Sequence, residues 1–145
     1  MKSLLLCGLL LALPIGLCAQ EASPTPATQT GGEVAAQAAG EVWLALADDA
    51  RYDAAYAGAA GMFQKLITKE NWVKLVTAGR SPLGKVGSRK LKDAKFSPKM
   101  NGAPDGQYVV LHFDTTFEKK VAAVETLTVT LDADGQWKVC GYFIR

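Results

Sequence analysis

The segment Gly79-Arg80-Ser81-Pro82-Leu83-Gly84-Lys85-Val86 sets two glycines and a lysine at the spacing of a phosphate-binding loop. Such a loop aims backbone N–H groups at phosphate oxygens, and a Ser or Thr after its lysine holds magnesium. Here Val86 stands where that hydroxyl belongs, and Pro82 removes one N–H. The context is also reversed, with a helical pattern before the segment and a strand pattern after it. The segment therefore reads as a helix stop and a tight turn. Gly79 ends the helix, Pro82 forbids its continuation, Leu83 plugs the core and Gly84 takes an unusual backbone angle. A weaker anion site stays open beside that reading. Arg80, Lys85, Arg89, Lys90, Lys92, Lys95 and Lys99 face a single acid, Asp93. On an edge strand the same charges would deter edge-to-edge pairing. Phe96 is the single aromatic among them, too few for a row of stacking platforms, which argues against nucleic acid as a partner.

The remaining reactive types are sparse. His112 is the single histidine, too few for a zinc site built on three or four protein ligands. It, or the nearby Asp114, is a candidate proton acceptor if the fold opens beside it. Cys140 would need a base and an electropositive setting to act as a nucleophile, and otherwise reads as a small buried hydrophobe or an intermolecular disulfide partner. Ser81 and Ser88 lack the strained G-x-S-x-G context of a serine hydrolase. No catalytic set, metal site or cofactor motif emerges. Arg80, Lys85, Arg89, Tyr56 and His112 remain as candidate ligand-binding residues. They would act on the basic segment or in a pocket between helices and sheet.

Three helical patterns and then strands must position these groups. Ala39, Val42, Trp43 and Leu46 follow the helical rule. Tyr52, Ala55, Tyr56, Ala59, Phe63, Leu66 and Ile67 follow it over a longer run, in which Gly58 and Gly61 weaken the helix by about 1 kcal/mol each. Thr68 caps a third helix carrying Trp72, Leu75 and Val76. After Gly84 the period becomes two. A first strand is predicted over Val86 to Phe96. Val109, Leu111 and Phe113 alternate with polar positions, as do Leu127, Val129 and Leu131, and Trp137, Val139 and Phe143 are placed on one face. Asn101 to Gly106 and Asp132 to Gly135 are the turns between strands. Helices first and antiparallel strands after predict an α+β class, with a four-stranded meander packed on three helices.

The N-terminus points to export. Met1-Lys2 precedes an apolar run from Leu4 to Leu17, short for a bilayer span of about 20 residues and suited to a signal peptide. Cleavage after Ala19 is expected, with lipid attachment at Cys18 as the rival reading. Residues 20–32 form a Pro-, Thr- and Gly-bearing linker, and residues 33–145 form a single domain. Beyond the signal, no apolar run is long enough for a membrane helix. Removing the signal takes one of the 16 basic residues and none of the 14 acids, so the near-neutral balance gives no global pull toward nucleic acid. Cys140 is then left as the lone thiol.

Several stretches together resemble a bacterial family, DUF4019. They are Val42 to Asp48 with Tyr52, Trp72, Arg80 to Gly84 with Arg89, Gly102 to Tyr108, Phe113 with Phe117, Glu125-Thr126, and Asp134 to Arg145. The resemblance covers Ala39 to Arg145 and departs near Tyr56, where a Trp would be expected. It implies an exported domain with a cystatin-like or nuclear-transport-factor-like cone, and no established activity, cofactor or catalytic residue. The expected function is a non-enzymatic envelope domain that binds a ligand or protein partner. A structural module, dimerising through a face with Tyr108, Val110 and His112, is one alternative. A small enzyme using His112 or Asp114 is the other.

Overall fold

The computed structural model describes residues 31–145. The expected signal segment, and all but the last two residues of the expected linker, lie outside the described residues. Helices α1 (Gly31–Asp48), α2 (Tyr52–Ala57), α3 (Gly61–Leu66) and α4 (Lys69–Arg80) come first. A 3₁₀ turn (Ser81–Leu83) leads into strands β1 (Val86–Ser97), β2 (Tyr108–Phe117), β3 (Lys120–Leu131) and β4 (Trp137–Ile144). The strands form one antiparallel sheet in the order β1-β2-β3-β4, the meander expected of the class.

The single long second helix is corrected to two short ones. Ala60 is extended (φ −60, ψ 147), and its N–H leaves the helical ladder to donate to Val139 O at 2.9 Å. A bond to the sheet thus replaces helical bonds at the place the two glycines had weakened. The third helix also runs one residue past Gly79, to Arg80.

Helix α1 crosses the inner face of the sheet. Its buried stripe is Ala36, Gly40, Trp43, Leu44 and Ala47, rotated from the expected one, and Val42 is exposed. Small residues set this face because the helix backbone lies close to the strands. A Cβ on Gly40 would stand 2.9 Å from Leu111 Cδ1 and 3.2 Å from Leu127 Cδ2. Trp43 extends the core sideways. Its Nε1–H donates to Ala55 O at 2.8 Å, and its ring stands 5.7 Å from Trp72 and 5.3 Å from Tyr142. Val109, Leu111, Phe113, Leu127 and Val129 complete the inner face, as period-two reading predicts.

Strand β4 departs from that reading. A register shift between Thr128 and Val129 leaves Cys140 unpaired on the β4 side. A bulge of one residue moves every later side chain to the other face. Tyr142 therefore joins Val139 on the core side, and Phe143 is exposed.

Candidate functional site

The near-miss phosphate loop is a turn held by the chain's own carboxylate. Lys85 N–H donates to Glu118 Oε2 at 3.0 Å, Glu118 N–H to Lys85 O and Lys119 N–H to Leu83 O, each at 2.9 Å. The turn after α4 is thereby pinned to the β2–β3 hairpin. Gly84 adopts φ 75 and ψ −161, and a Cβ there would stand 2.6 Å from Glu118 Oε2. That backbone region is open essentially to glycine alone. Gly84→Ala is expected to lower stability by about 1–3 kcal/mol in urea titration, and an unchanged midpoint would contradict this account of the turn.

Arg80 and Arg89 do not face solvent as a cationic patch. Both point inward to Glu125, which is fully buried. Arg80 Nη1 donates to Glu125 Oε1 at 3.2 Å and to the Tyr142 hydroxyl. Arg89 Nε donates to Glu125 Oε2 at 2.6 Å. Asp48, at the end of α1, takes Arg89 Nη1 at 2.7 Å and Nη2 at 2.9 Å, and also accepts from Arg80 Nη2. Thr115 donates to Glu125 Oε2 at 2.8 Å. Burial opposes the charge of Asp48, yet Arg89 and then Arg80 hold its carboxyl below the usual range. Burial pushes the Tyr142 hydroxyl well above the ordinary phenol range, so it stays protonated and donates to Glu125. Two arginines and two carboxylates neutralise one another, leaving little net charge to attract a free anion. The cluster ties α1, α4 and all four strands together.

The other candidates lie apart. The Tyr56 hydroxyl donates to Ile67 O at 2.8 Å and Gln64 O at 3.2 Å, fastening α2 to the end of α3. Lys85 is exposed. His112 occupies the outer face of the sheet, its Nδ1 2.8 Å from Asp93 Oδ1. Strand β3 separates it from Cys140 on β4, so the structure does not pair the imidazole with the thiol. Burial pushes that thiol up to about 11, which leaves it mostly protonated near neutrality. Among the described residues, no group of three or more His, Cys, Asp or Glu side chains is arranged to hold a metal ion. Nor is any described helix long and apolar enough to cross a membrane.

Among the described residues, one concave feature is a cleft of about 660 Å³ between the α3–α4 pair and the free edge of β4. Phe63, Leu66, Leu75 and Val76 form one wall, and Cys140 to Ile144 form the other. Arg80 and Tyr142 bring the polar cluster to its surface. Three large apolar side chains at the cleft are unusually exposed: Leu66 at 77%, Leu75 at 64% and Phe143 at 66%. Trp72 also lines it, only 6% exposed, and its Nε1–H has no hydrogen-bond acceptor. Buried indole N–H groups usually find one. The arrangement is an apolar slot with few polar groups, within the usual size range of ligand sites of roughly 300–1,000 Å³.

The sequence reading missed Glu125, Asp48, Thr115 and Tyr142 as a cluster. One signal was present. Glu125 shares the period-two face of Leu127 and Val129, and Arg89 that of Leu91, so each is a charge at a core position.

Comparison with protein families matches residues 39–142 to a family described as "Protein of unknown function (DUF4019)". No curated protein matches the chain, and neither does any solved structure.

Proposed function

The chain belongs to the DUF4019 family, and from that premise we propose that it is an exported, non-catalytic domain that binds an apolar ligand or partner in the cleft between α3–α4 and β4. The carrying observation is the exposed apolar rim of Leu66, Leu75 and Phe143 around a concave slot. Scattered apolar residues are ordinary on protein surfaces, but a group converging on one cleft marks a binding site. The separation of His112 from Cys140 and the elevated thiol supply no activated nucleophile. Export is supported by the basic start and the apolar run Leu4 to Leu17. Of the sequence-derived ligand residues, Arg80 reaches the cleft. Its charge is answered within the protein, so the ligand it suits is neutral or hydrogen-bonding rather than anionic.

Titration with phenylnaphthylamine, a neutral apolar fluorophore, tests the reading. Wild type is expected to give saturable, single-site fluorescence enhancement. Leu75→Asp places a charge on the wall and should weaken binding by about tenfold or more. Leu75 is mostly exposed, so circular dichroism should show the fold intact. Unsaturable enhancement, or equal binding by the variant, would overturn the assignment.

A further inference from the structure

We propose that the occupant of the cleft is an extended apolar peptide segment of a partner protein, added as a fifth strand along the free edge of β4. This rests on the cleft being the binding site, and goes beyond it by naming the occupant's chemistry.

The two edges of the sheet are treated differently. Strand β1 carries Arg89, Lys90, Lys92 and Lys95 and has register shifts at two places. Charges and bulges are the usual guards against pairing with another chain. The second half of β4, Cys140-Gly141-Tyr142-Phe143-Ile144, carries no charge and no proline. Its single bulge, at Cys140, lies at the start of that stretch. An edge of this composition is a template for strand addition.

The backbone pattern fixes which groups are offered. Val124 and Arg145 exchange both hydrogen bonds, each at 3.0 Å. Antiparallel pairs alternate between bonded and non-bonded. Hence Thr126 and Phe143 form the next bonded pair, and Ile144 and Tyr142 turn their N–H and C=O groups away from β3. Those groups point to the edge that forms the cleft wall. The chain already supplies one rung there, because Ala60 N–H donates to Val139 O on that same side. Beyond it the ladder lacks a neighbour at Tyr142 and Ile144.

The side chains around the edge complete the match. A fifth strand alternates its side chains between the two faces of the sheet. Residues on the inner side would meet Leu75 and Val76, and those on the outer side would lie beside Phe143. A simple hydrocarbon offers neither acceptors nor donors for the N–H and C=O groups of Tyr142 and Ile144 at this edge. A second copy of this chain fits less well. It would bring its own α3 and α4 beside its β4, and two such walls would have to share one slot.

The probe is a pool of acetylated, amidated peptides of about eight residues, a common strand length, alternating Val, Leu, Ile or Phe with Thr or Ser. Three readouts are taken on the same protein: displacement of phenylnaphthylamine, amide exchange by NMR, and the effect of N-methylating alternate backbone positions. The expected result is displacement, with exchange at Tyr142 and Ile144 slowed by about tenfold or more. Methylation in one alternate set should weaken binding by about tenfold or more, and methylation in the other set should leave it unchanged. If the fluorophore binds but no peptide displaces it or slows those amides, the strand proposal falls and the cleft assignment stands. If neither binds, both fall. If Tyr142 and Ile144 become protected with protein concentration alone, the edge belongs to a second copy and the peptide proposal is wrong.

Discussion

Glu125→Ala is expected to lower the free energy of unfolding by about 3–5 kcal/mol, the range for removing one partner of a buried ion pair. Glu125 is wholly inaccessible, and its two oxygens accept from Arg80, Arg89, Thr115 and Tyr142. Its removal leaves two arginines to share Asp48, and leaves two hydroxyl groups without their acceptor. The loss is larger than the cluster's own net contribution. Bringing four charges out of water offsets most of what their attraction returns. Replacing all of them by apolar residues of similar volume would accordingly be far milder than deleting one. Urea denaturation with matched slopes gives the comparison. A loss below about 1 kcal/mol would be the behaviour of an exposed pair, and would contradict the placement of Glu125.

Trp43→Ala is expected to have an effect of similar size, about 3–5 kcal/mol, as for other large-to-small core changes. Trp43 touches the elements that hold the cleft in shape. It packs on Trp72 of α4 and Tyr142 of β4, and its indole bonds Ala55 O in α2. Ala substitution opens a void between the helices and the sheet. Trp43→Phe separates packing from polarity. It keeps most of the ring volume but leaves Ala55 O without its donor, for about 1–3 kcal/mol. Thermal and urea unfolding of both variants check the order. A Phe variant as unstable as the Ala variant would mean the hydrogen bond, not the packing, dominates at this site.

Much of the fold was legible because it depends on local pattern. Alternation placed the inner faces of β2 and β3 correctly, and Thr68 does cap α4 by accepting from Asn71 N–H. What escaped was set by tertiary contact. The break between α2 and α3 depends on Ala60 bonding to Val139, far along the chain. The face of α1 depends on how closely Gly40 approaches Leu111, and hydrophobic weight alone favours Val42 instead. The bulge at Cys140 reverses Tyr142 and Phe143 with no turn residue to announce it beyond Gly141. The arginines show the same limit at the level of the site. Their spacing suggests a solvent-facing patch, whereas the partners that turn them inward, Asp48 and Glu125, lie on α1 and β3. The cleft lies between segments distant in sequence, so spacing alone could suggest a pocket between helices and sheet but not its rim.

The most direct test of the central claim is a heteronuclear NMR map of phenylnaphthylamine binding to the described domain within the full chain. If the cleft is the binding site, shifts concentrate at Leu66, Leu75, Gly79 and the Cys140 to Ile144 edge, with the Trp72 indole N–H among the most perturbed. Shifts confined to the outer face of the sheet, at Lys90, His112 and Thr128, would place binding elsewhere and contradict the account.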